Sequence, residues 1–249
     1  MIVLAALEAD ACAQPILRTA IALADLFDAP AVALHVRENG DGRPDALAAA
    51  AGIELRETAG DAIEQIVAAA HGPDVTALVL GARGMHGGPQ PAGHTALDVI
   101  TRLVKPVAVV PPRARAEHIA RILVPLEGTA ESSLALEETV ALAHRHELEI
   151  LVLHVHSPTT VPAFSDHEPH AALAWEQEFL ARYIAAPHDR VSLRRQLGVP
   201  ADDVAAVAHE AAADLIVLAW SRHLGPGRAR VVSETLARSE VPVLLLPTA

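Results

Sequence analysis

Apolar and polar positions follow two different periods along the first half of the chain. Between residues 13 and 27, Ile16, Ala20, Leu23 and Phe27 recur at helical spacing, and residues 61–70 show a similar apolar face. Apolar runs of strand length stand at about residues 2–7, 31–36, 53–57, 76–80 and 107–110. Strands that alternate with helices predict right-handed crossovers and a parallel sheet covered by helices on both faces.

The second half of the chain repeats this pattern. Ala5-Ala-Leu-Glu8 matches Val124-Pro-Leu-Glu127, and Leu34-His-Val36 matches Leu153-His-Val155, both at an offset of 119 residues. Later matches need a larger offset because the second copy carries extra residues around 157–170. We therefore predict a tandem duplication, with one domain at residues 1–113 (repeat one) and another at residues 118–249 (repeat two).

The run from Gly81 to Thr95 is the most glycine-dense part of the chain. In open parallel sheets, ligands bind beyond the carboxyl ends of the strands, where the strand order reverses, and Glu8, His35 and Gly81 stand at the ends of three predicted strands. Glycines let the backbone approach an anion closely, and a helix that starts near Thr95 directs its N–H groups and positive dipole end outward. The run predicts a phosphate-binding cradle, with a flexible connection as the alternative.

Composition and charge narrow the function classes. The chain has a formal net charge of -12, only 2% aromatic residues and a single lysine, Lys105, so no basic stripe or aromatic platform indicates nucleic-acid binding. Apolar runs end well before the roughly 18 residues that a membrane span needs, and the start lacks the basic region of a signal peptide. The one cysteine, Cys12, excludes an internal disulfide and is best interpreted as a small buried residue. We expect a cytoplasmic protein with neither nucleic-acid nor membrane partners.

Several short motifs, in a fixed order, carry a family resemblance. They are Pro125-Leu-Glu-Gly-Thr129, the two strand endings Leu34-His-Val36 and Leu153-His-Val155, Gly60-Asp-Ala62 and Gly198-Val-Pro200. Together they resemble the universal stress protein family in its tandem two-domain form. The resemblance implies two flavodoxin-like (adenine nucleotide alpha hydrolase-like) α/β domains, each a five-stranded parallel sheet flanked by helices. It also implies that the fifth strands pair across the duplication as an intramolecular pseudo-dimer, or that two chains form a homodimer.

The same resemblance implies a nucleotide site in repeat one. Nucleotide-binding members of the family carry G-x2-G-x9-G-(S/T) after the fourth strand. Here the pattern starts at Gly81 and Gly84 and reaches Gly93 one residue early, with His94 in the Ser/Thr position and Thr95 next. The resemblance implies that ATP, with Mg or Mn as a possible companion of its phosphates, contacts Ala6, Leu7, Glu8, Val36, Leu80, Gly81, Gly84, Gly93, His94 and Thr95.

Repeat two departs further from the family pattern. Ala219 and Arg222 stand where the first two glycines belong, and Arg230 stands near the third. Side chains at these positions would occupy the space that phosphates need. Arg222, Arg228 and Arg230 could bind an anion in another way, but a solvated basic loop is the favoured interpretation, and Glu127 beside it is interpreted as a surface carboxylate. We therefore predict that repeat two is structural.

Other candidate chemistry is weak. His35 and His154 are predicted to be packed, hydrogen-bonded core residues. His154-Val-His156 and the histidines of the 157–170 insertion invite a metal hypothesis, but no third ligand can be placed beside either, so no metal site is predicted. There is no G-x-S-x-G elbow and no G-K-(S/T) loop, and Lys105 lies too far along the chain to serve as a phosphate-loop lysine. No catalytic residue is predicted.

These patterns lead to one main hypothesis and one alternative. The main hypothesis is a cytoplasmic stress-response protein that binds ATP in repeat one as a sensor or switch and is not an enzyme, with at most slow ATP hydrolysis. The alternative is a scaffold of the same fold that binds no nucleotide and recruits a partner through the insertion at 157–170. A nucleotide-dependent enzyme is less favoured, because it needs a catalytic base and a metal clamp that the sequence lacks.

Overall fold

The structure of the protein is a computed structural model. It describes residues 1–8, 13–37, 44–82, 92–115, 117–126, 130–156, 189–223 and 229–248, together with residues 176, 178, 180 and 181.

Each repeat alternates strands with helices, as the periodicity predicts. Repeat one consists of β1 (Ile2–Leu7), α1 (Ala13–Leu26), β2 (Ala31–Arg37), α2 (Asp45–Ala50), β3 (Glu54–Ala59), α3 (Ala62–Ala70), β4 (Val75–Gly81), α4 (His94–Arg102) and β5 (Val107–Val110). The described residues of repeat two include β6 (Arg121–Pro125), α5 (Ala130–His146), β7 (Glu149–His156), β8 (Val191–Leu197), α6 (Pro200–Glu210), β9 (Leu215–Trp220), α7 (Arg230–Arg238) and β10 (Val243–Pro247).

The ten strands form one sheet in the order β3-β2-β1-β4-β5-β10-β9-β6-β7-β8. Within each repeat the five strands are parallel, which confirms the predicted α/β class. The two halves meet through an antiparallel pairing of β5 with β10, in which Leu244 lies opposite Ala108. The fifth strand of each repeat is therefore an interior strand of the sheet.

Burial follows the position of a strand in the sheet. The central strands β1 and β5 are buried along their whole length, which explains their continuous apolar runs. The edge strands β3 and β8 mix exposed and partly buried positions, and both carry charged residues. An edge strand needs such residues because it presents unpaired backbone groups to solvent.

Two apolar cores cover the two faces of the sheet, and each contains residues from both repeats. One lies beneath α1 and α5 and includes Leu23 and Leu136. The other lies beneath α3, α4, α6 and α7 and includes Ile100 and Leu236. Because both cores continue across the β5–β10 junction, burial as well as strand pairing joins the repeats.

Trp220 makes a specific link between the repeats. Its indole is 2% exposed at the end of β9, and Nε1 donates a hydrogen bond to the carbonyl oxygen of Ile100 at 3.2 Å. That carbonyl belongs to the last turn of α4, where backbone oxygens have no partner within the helix. A side chain of repeat two thus satisfies the carboxyl end of a helix of repeat one.

No helix in the described part of the chain is both long and apolar enough to cross a lipid bilayer.

Candidate functional site

The candidate site lies at the carboxyl ends of β1 and β4, where the strand order of repeat one reverses. From β1 the sheet continues to β2 and β3 on one side and to β4 and β5 on the other. Ala5 pairs with Val79, two residues before the end of each strand. The ends marked by Leu7 and Gly81 therefore lie side by side at one edge of the sheet, which is where open α/β folds bind ligands.

The amino terminus of α4 is tied to the same edge. Gly93 is the N-cap residue, with φ -63 and ψ 157. Its N–H donates to the carbonyl oxygen of Ala82 at 2.7 Å, and the N–H of Ala82 donates to the carbonyl oxygen of Val110 at 2.7 Å. These two bonds hold the start of the helix against the ends of β4 and β5.

The first turn of α4 supplies hydrogen-bond donors. The N–H groups at positions 94, 95 and 96 have no acceptor inside the helix, because helical bonding begins one turn later. Among the described residues, no side chain caps them. Together with the positive end of the helix dipole, such groups form an anion-binding position.

His94 occupies the first position of the helix and is engaged with Asp98. Its side chain is 76% exposed, and Nε2 lies 3.3 Å from a carboxylate oxygen of Asp98, one turn further on. The sequence predicts that His94 replaces a hydroxyl donor toward phosphate. The structure shows that the ring also has a carboxylate neighbour, which places a negative charge beside the first turn of α4.

The other predicted site residues divide between the two faces of the sheet. The side chains of Ala6, Val36 and Leu80 lie in the core on the α4 face. Leu7 lies in the opposite core beneath α1, so only its backbone belongs to the candidate site. Glu8 follows β1 directly and is exposed, as a ligand contact at the strand end requires.

Several predicted residues cannot be placed. Gly84, the second glycine of the pattern, lies outside the described residues, as do Cys12, Glu127, Arg228 and the insertion at 157–170. The predicted phosphate cradle is therefore described at its two ends, Gly81–Ala82 and Gly93–Thr95.

His35 and His154 occupy equivalent positions. Nδ1 of His35 lies 3.0 Å from the carbonyl oxygen of Leu7, and Nδ1 of His154 lies 2.9 Å from that of Leu126. His35 is 2% exposed, whereas His154 is partly buried. The prediction of hydrogen-bonded, packed histidines is confirmed for His35, and His154 makes the same bond with less burial. Sequence reasoning missed the partner in both cases, although the shared Leu-His-Val pattern marks the two positions as equivalent.

The corresponding helix start in repeat two has a different backbone. Helices α4 and α7 have the same length, and their bounds align Ala229 with Gly93 and Arg230 with His94. Arg230, predicted near the third glycine, is thus one position later. Ala229 has a left-handed conformation with φ 50, where Gly93 is extended, and Arg222 is left-handed with φ 62. A left-handed residue with a side chain is unusual, so the residue before α7 differs in backbone conformation from the residue before α4.

Lys105 lies at the opposite edge of the sheet. Its Nζ donates to the carbonyl oxygens of Gly72 and Val75, the latter at 2.8 Å. Gly72 lies between α3 and β4, and Val75 begins β4, so both oxygens lie near the amino end of that strand. The side chain holds a loop and does not reach the candidate site.

The described residues contain no group of three or more histidine, cysteine or acidic side chains arranged to hold a metal ion. The rings of His154 and His156 stack with centroids 6.2 Å apart. Burial, together with the neighbouring His154 and Arg195, lowers the pKa of His156 below its ordinary value of 6.5. This pair stands at the end of β7 and supplies two nitrogen ligands at most.

Comparison with known proteins identifies a family for this chain. A family model described as the universal stress protein family matches residues 118–247. The matched residues coincide with repeat two, the copy that has Ala219 and Arg222 in the first two glycine positions. The family match therefore rests on the repeat without the glycine pair and does not by itself support the glycine pair in repeat one. No curated protein matches.

Solved structures match over the whole chain. A functionally unknown protein from Pseudomonas aeruginosa PAO1 superposes with a TM-score of 0.69 at 15% identity, over 99% of this chain and 92% of its own. A universal stress protein from Archaeoglobus fulgidus DSM 4304 superposes with a TM-score of 0.68 at 18% identity, over 100% of this chain and 98% of its own. At these identities, the likeness shows a shared two-domain fold.

Proposed function

This chain belongs to the universal stress protein family, and from that premise we propose that it is a stress-response protein that binds ATP in repeat one. Binding acts as a sensor or switch, with at most slow hydrolysis, and repeat two serves as the structural half. We also propose that the protein acts in the cytoplasm, and that its functional unit is the intramolecular pair of repeats.

The observation that carries the proposal is the attachment of α4 to the ends of β4 and β5. Through the bond from Gly93 to Ala82, the first turn of the helix, which no described side chain caps, is held beside the end of β4. The phosphates of ATP are anions rich in acceptor oxygens, so they fit this set of donors. A helix dipole contributes about 0.3–1 kcal/mol per charge, and each hydrogen bond to a charged group about 1.5–3 kcal/mol.

The adenosine part is assigned to the ends of β1 and β2. Glu8 is an exposed acceptor at the end of β1 and can accept hydrogen bonds from the ribose hydroxyls or the adenine amino group. The backbone at Ala6 and Val36 lies beside it, because β1 and β2 are neighbours. The strand ends would then receive the nucleoside and the helix end its phosphates.

The charge near α4 favours a nucleotide complexed with a metal ion. Asp98 lies one turn into the helix, and the whole chain has a formal net charge of -12. Both oppose a free polyphosphate. We propose that Mg or Mn accompanies the phosphates and offsets part of their charge.

The described residues of repeat two differ from those that support this proposal in repeat one. Its helix start has the left-handed Ala229 in place of the extended Gly93, followed by Arg230. Arg222 stands at the position of the second glycine. We therefore assign no nucleotide to repeat two.

The alternative is a scaffold of the same fold that binds no nucleotide. The contact of His94 with Asp98 favours it, because a carboxylate beside the helix start opposes an anion. Both hypotheses account for the same fold, and they differ in whether repeat one binds ATP.

Calorimetric titration with MgATP tests the proposal. We expect binding by the wild-type protein, loss of binding in Gly84→Arg, at the second glycine of the family pattern, and unchanged binding in the control Gly225→Arg, in the corresponding segment of repeat two. Absence of heat with wild-type protein at millimolar ATP would favour the scaffold. Phosphate release much faster than about once per minute would instead indicate an enzyme.

A further inference from the structure

His35 makes one directional contact with the end of β1. Its ring is 2% exposed, and Nδ1 lies 3.0 Å from the carbonyl oxygen of Leu7. A carbonyl oxygen can only accept a hydrogen bond, so Nδ1 carries the proton. Nε2 is buried and has no hydrogen-bond partner in the described part of the chain. The bond to Leu7 is therefore the polar contact by which this ring acts on its surroundings.

The bond to Leu7 also constrains Glu8. The carbonyl of Leu7 and the N–H of Glu8 belong to one planar peptide unit. A donor held against that carbonyl fixes the plane, and with it the direction in which the chain leaves β1. Because His35 is packed in the core, its ring is a rigid support for this peptide.

We infer that His35 is a positioning residue of the site in repeat one: its Nδ1–H holds the Leu7–Glu8 peptide so that Glu8 faces the adenosine part of ATP. This inference rests on the proposed function. It assigns His35 no contact with the phosphates, which belong to α4 at the other side of the site.

Repeat two supplies a matched control within the same chain. His154 makes the equivalent bond to Leu126 at 2.9 Å, in the half to which no nucleotide is assigned. Loss of that bond disturbs repeat two, but it cannot affect a ligand in repeat one directly. A comparison of the two histidines therefore separates positioning from general stability.

The test measures ATP and inorganic triphosphate binding by calorimetry for wild type, His35→Leu, His35→Asn and His154→Leu. Leucine removes the donor at similar size, whereas asparagine keeps an N–H close to the position of Nδ1. Loss of one hydrogen bond is expected to weaken ATP binding by His35→Leu about fivefold. Triphosphate binding by that variant, and ATP binding by His35→Asn and His154→Leu, should stay within about twofold of wild type.

Two results overturn the inference while leaving the proposed function intact. One is wild-type affinity for ATP in His35→Leu, and the other is equal weakening of ATP and triphosphate. Absence of ATP binding by the wild-type protein, which is measured first, defeats the proposed function and the inference with it. If His35→Leu does not fold, His35→Gln replaces it, because its amide lies one bond farther from the backbone and does not reproduce the position of Nδ1.

Discussion

Gly93→Asp is expected to stabilise the fold and to weaken ATP binding at the same time. Gly93 has φ -63 and ψ 157, a conformation open to any residue. Asp61 has φ -65 and ψ 126 at the N-cap of α3, and its carboxylate accepts a hydrogen bond from the N–H of Glu64 at 3.0 Å. An aspartate at position 93 should cap α4 in the same way, by accepting from the N–H of Ala96.

The size of the stabilisation follows from three small terms. Replacing a glycine N-cap by aspartate adds a few tenths of a kcal/mol, the negative charge at the helix dipole about 0.3–1 kcal/mol, and the reduced freedom of the unfolded chain about 0.4–1 kcal/mol. Together they predict about 1–2 kcal/mol, which raises Tm by about 3–6 °C in a chain of this length.

The effect on ATP has the opposite sign. The new carboxylate occupies an N–H group proposed for phosphate and places a negative charge about 5 Å from it, a repulsion of about 1–3 kcal/mol for an effective dielectric constant between about 20 and 80. Affinity should fall by about 5- to 150-fold. Calorimetry and thermal unfolding measure both effects on the same samples.

Gly93→Asn is the matched control for charge, because asparagine caps as well as aspartate but is neutral. Gly93→Asn should keep part of the stabilisation and lose less affinity for ATP than Gly93→Asp does. Wild-type affinity in Gly93→Asp would refute the assignment of phosphate to α4, whereas a lower Tm would refute the capping geometry.

Substitutions at three positions test contacts that hold the fold together. Trp220→Phe removes the donor to Ile100 together with part of the buried ring, so the free energy of unfolding in urea should fall by more than about 1 kcal/mol; an unchanged value would contradict that link between the repeats. Lys105→Met leaves the carbonyls of Gly72 and Val75 without their charged donor and should lower the free energy of unfolding by about 1–3 kcal/mol. Lys105→Arg should also have a lower free energy of unfolding than the wild type. The pKa of His156 is lowered in the folded protein, so the unfolded chain takes up its proton first and stability falls as pH drops below the unfolded value of 6.5. His156→Gln should therefore lose less stability than wild type between about pH 7.5 and 5.5 in urea unfolding; an equal loss would contradict the direction of the shift.

The element order could be predicted because it depends on local periodicity. The continuous apolar run of β1 and the helical spacing from Ile16 to Leu23 appear in the sequence and in the structure alike. The β5–β10 pairing does not depend on local periodicity. Both strands are short apolar runs, and nothing in them specifies a partner, so it was expected only from the family resemblance.

Contacts across the duplication could not be predicted from pattern. Trp220 and Ile100 are 120 residues apart, and the donor of one meets the acceptor of the other only after the sheet forms. The bond from His35 to Leu7 is similar, because burial is encoded in the strand pattern but the partner depends on register.

Photoaffinity labelling with an azido-adenine analogue of ATP, followed by peptide mapping, tests the central claim most directly. The account predicts one label per chain, in peptides of repeat one that contain Glu8 or Val36, where the adenosine part is assigned, and loss of the label with excess ATP. A label in repeat two, or one that ATP does not displace, would contradict the assignment of a single nucleotide site to repeat one.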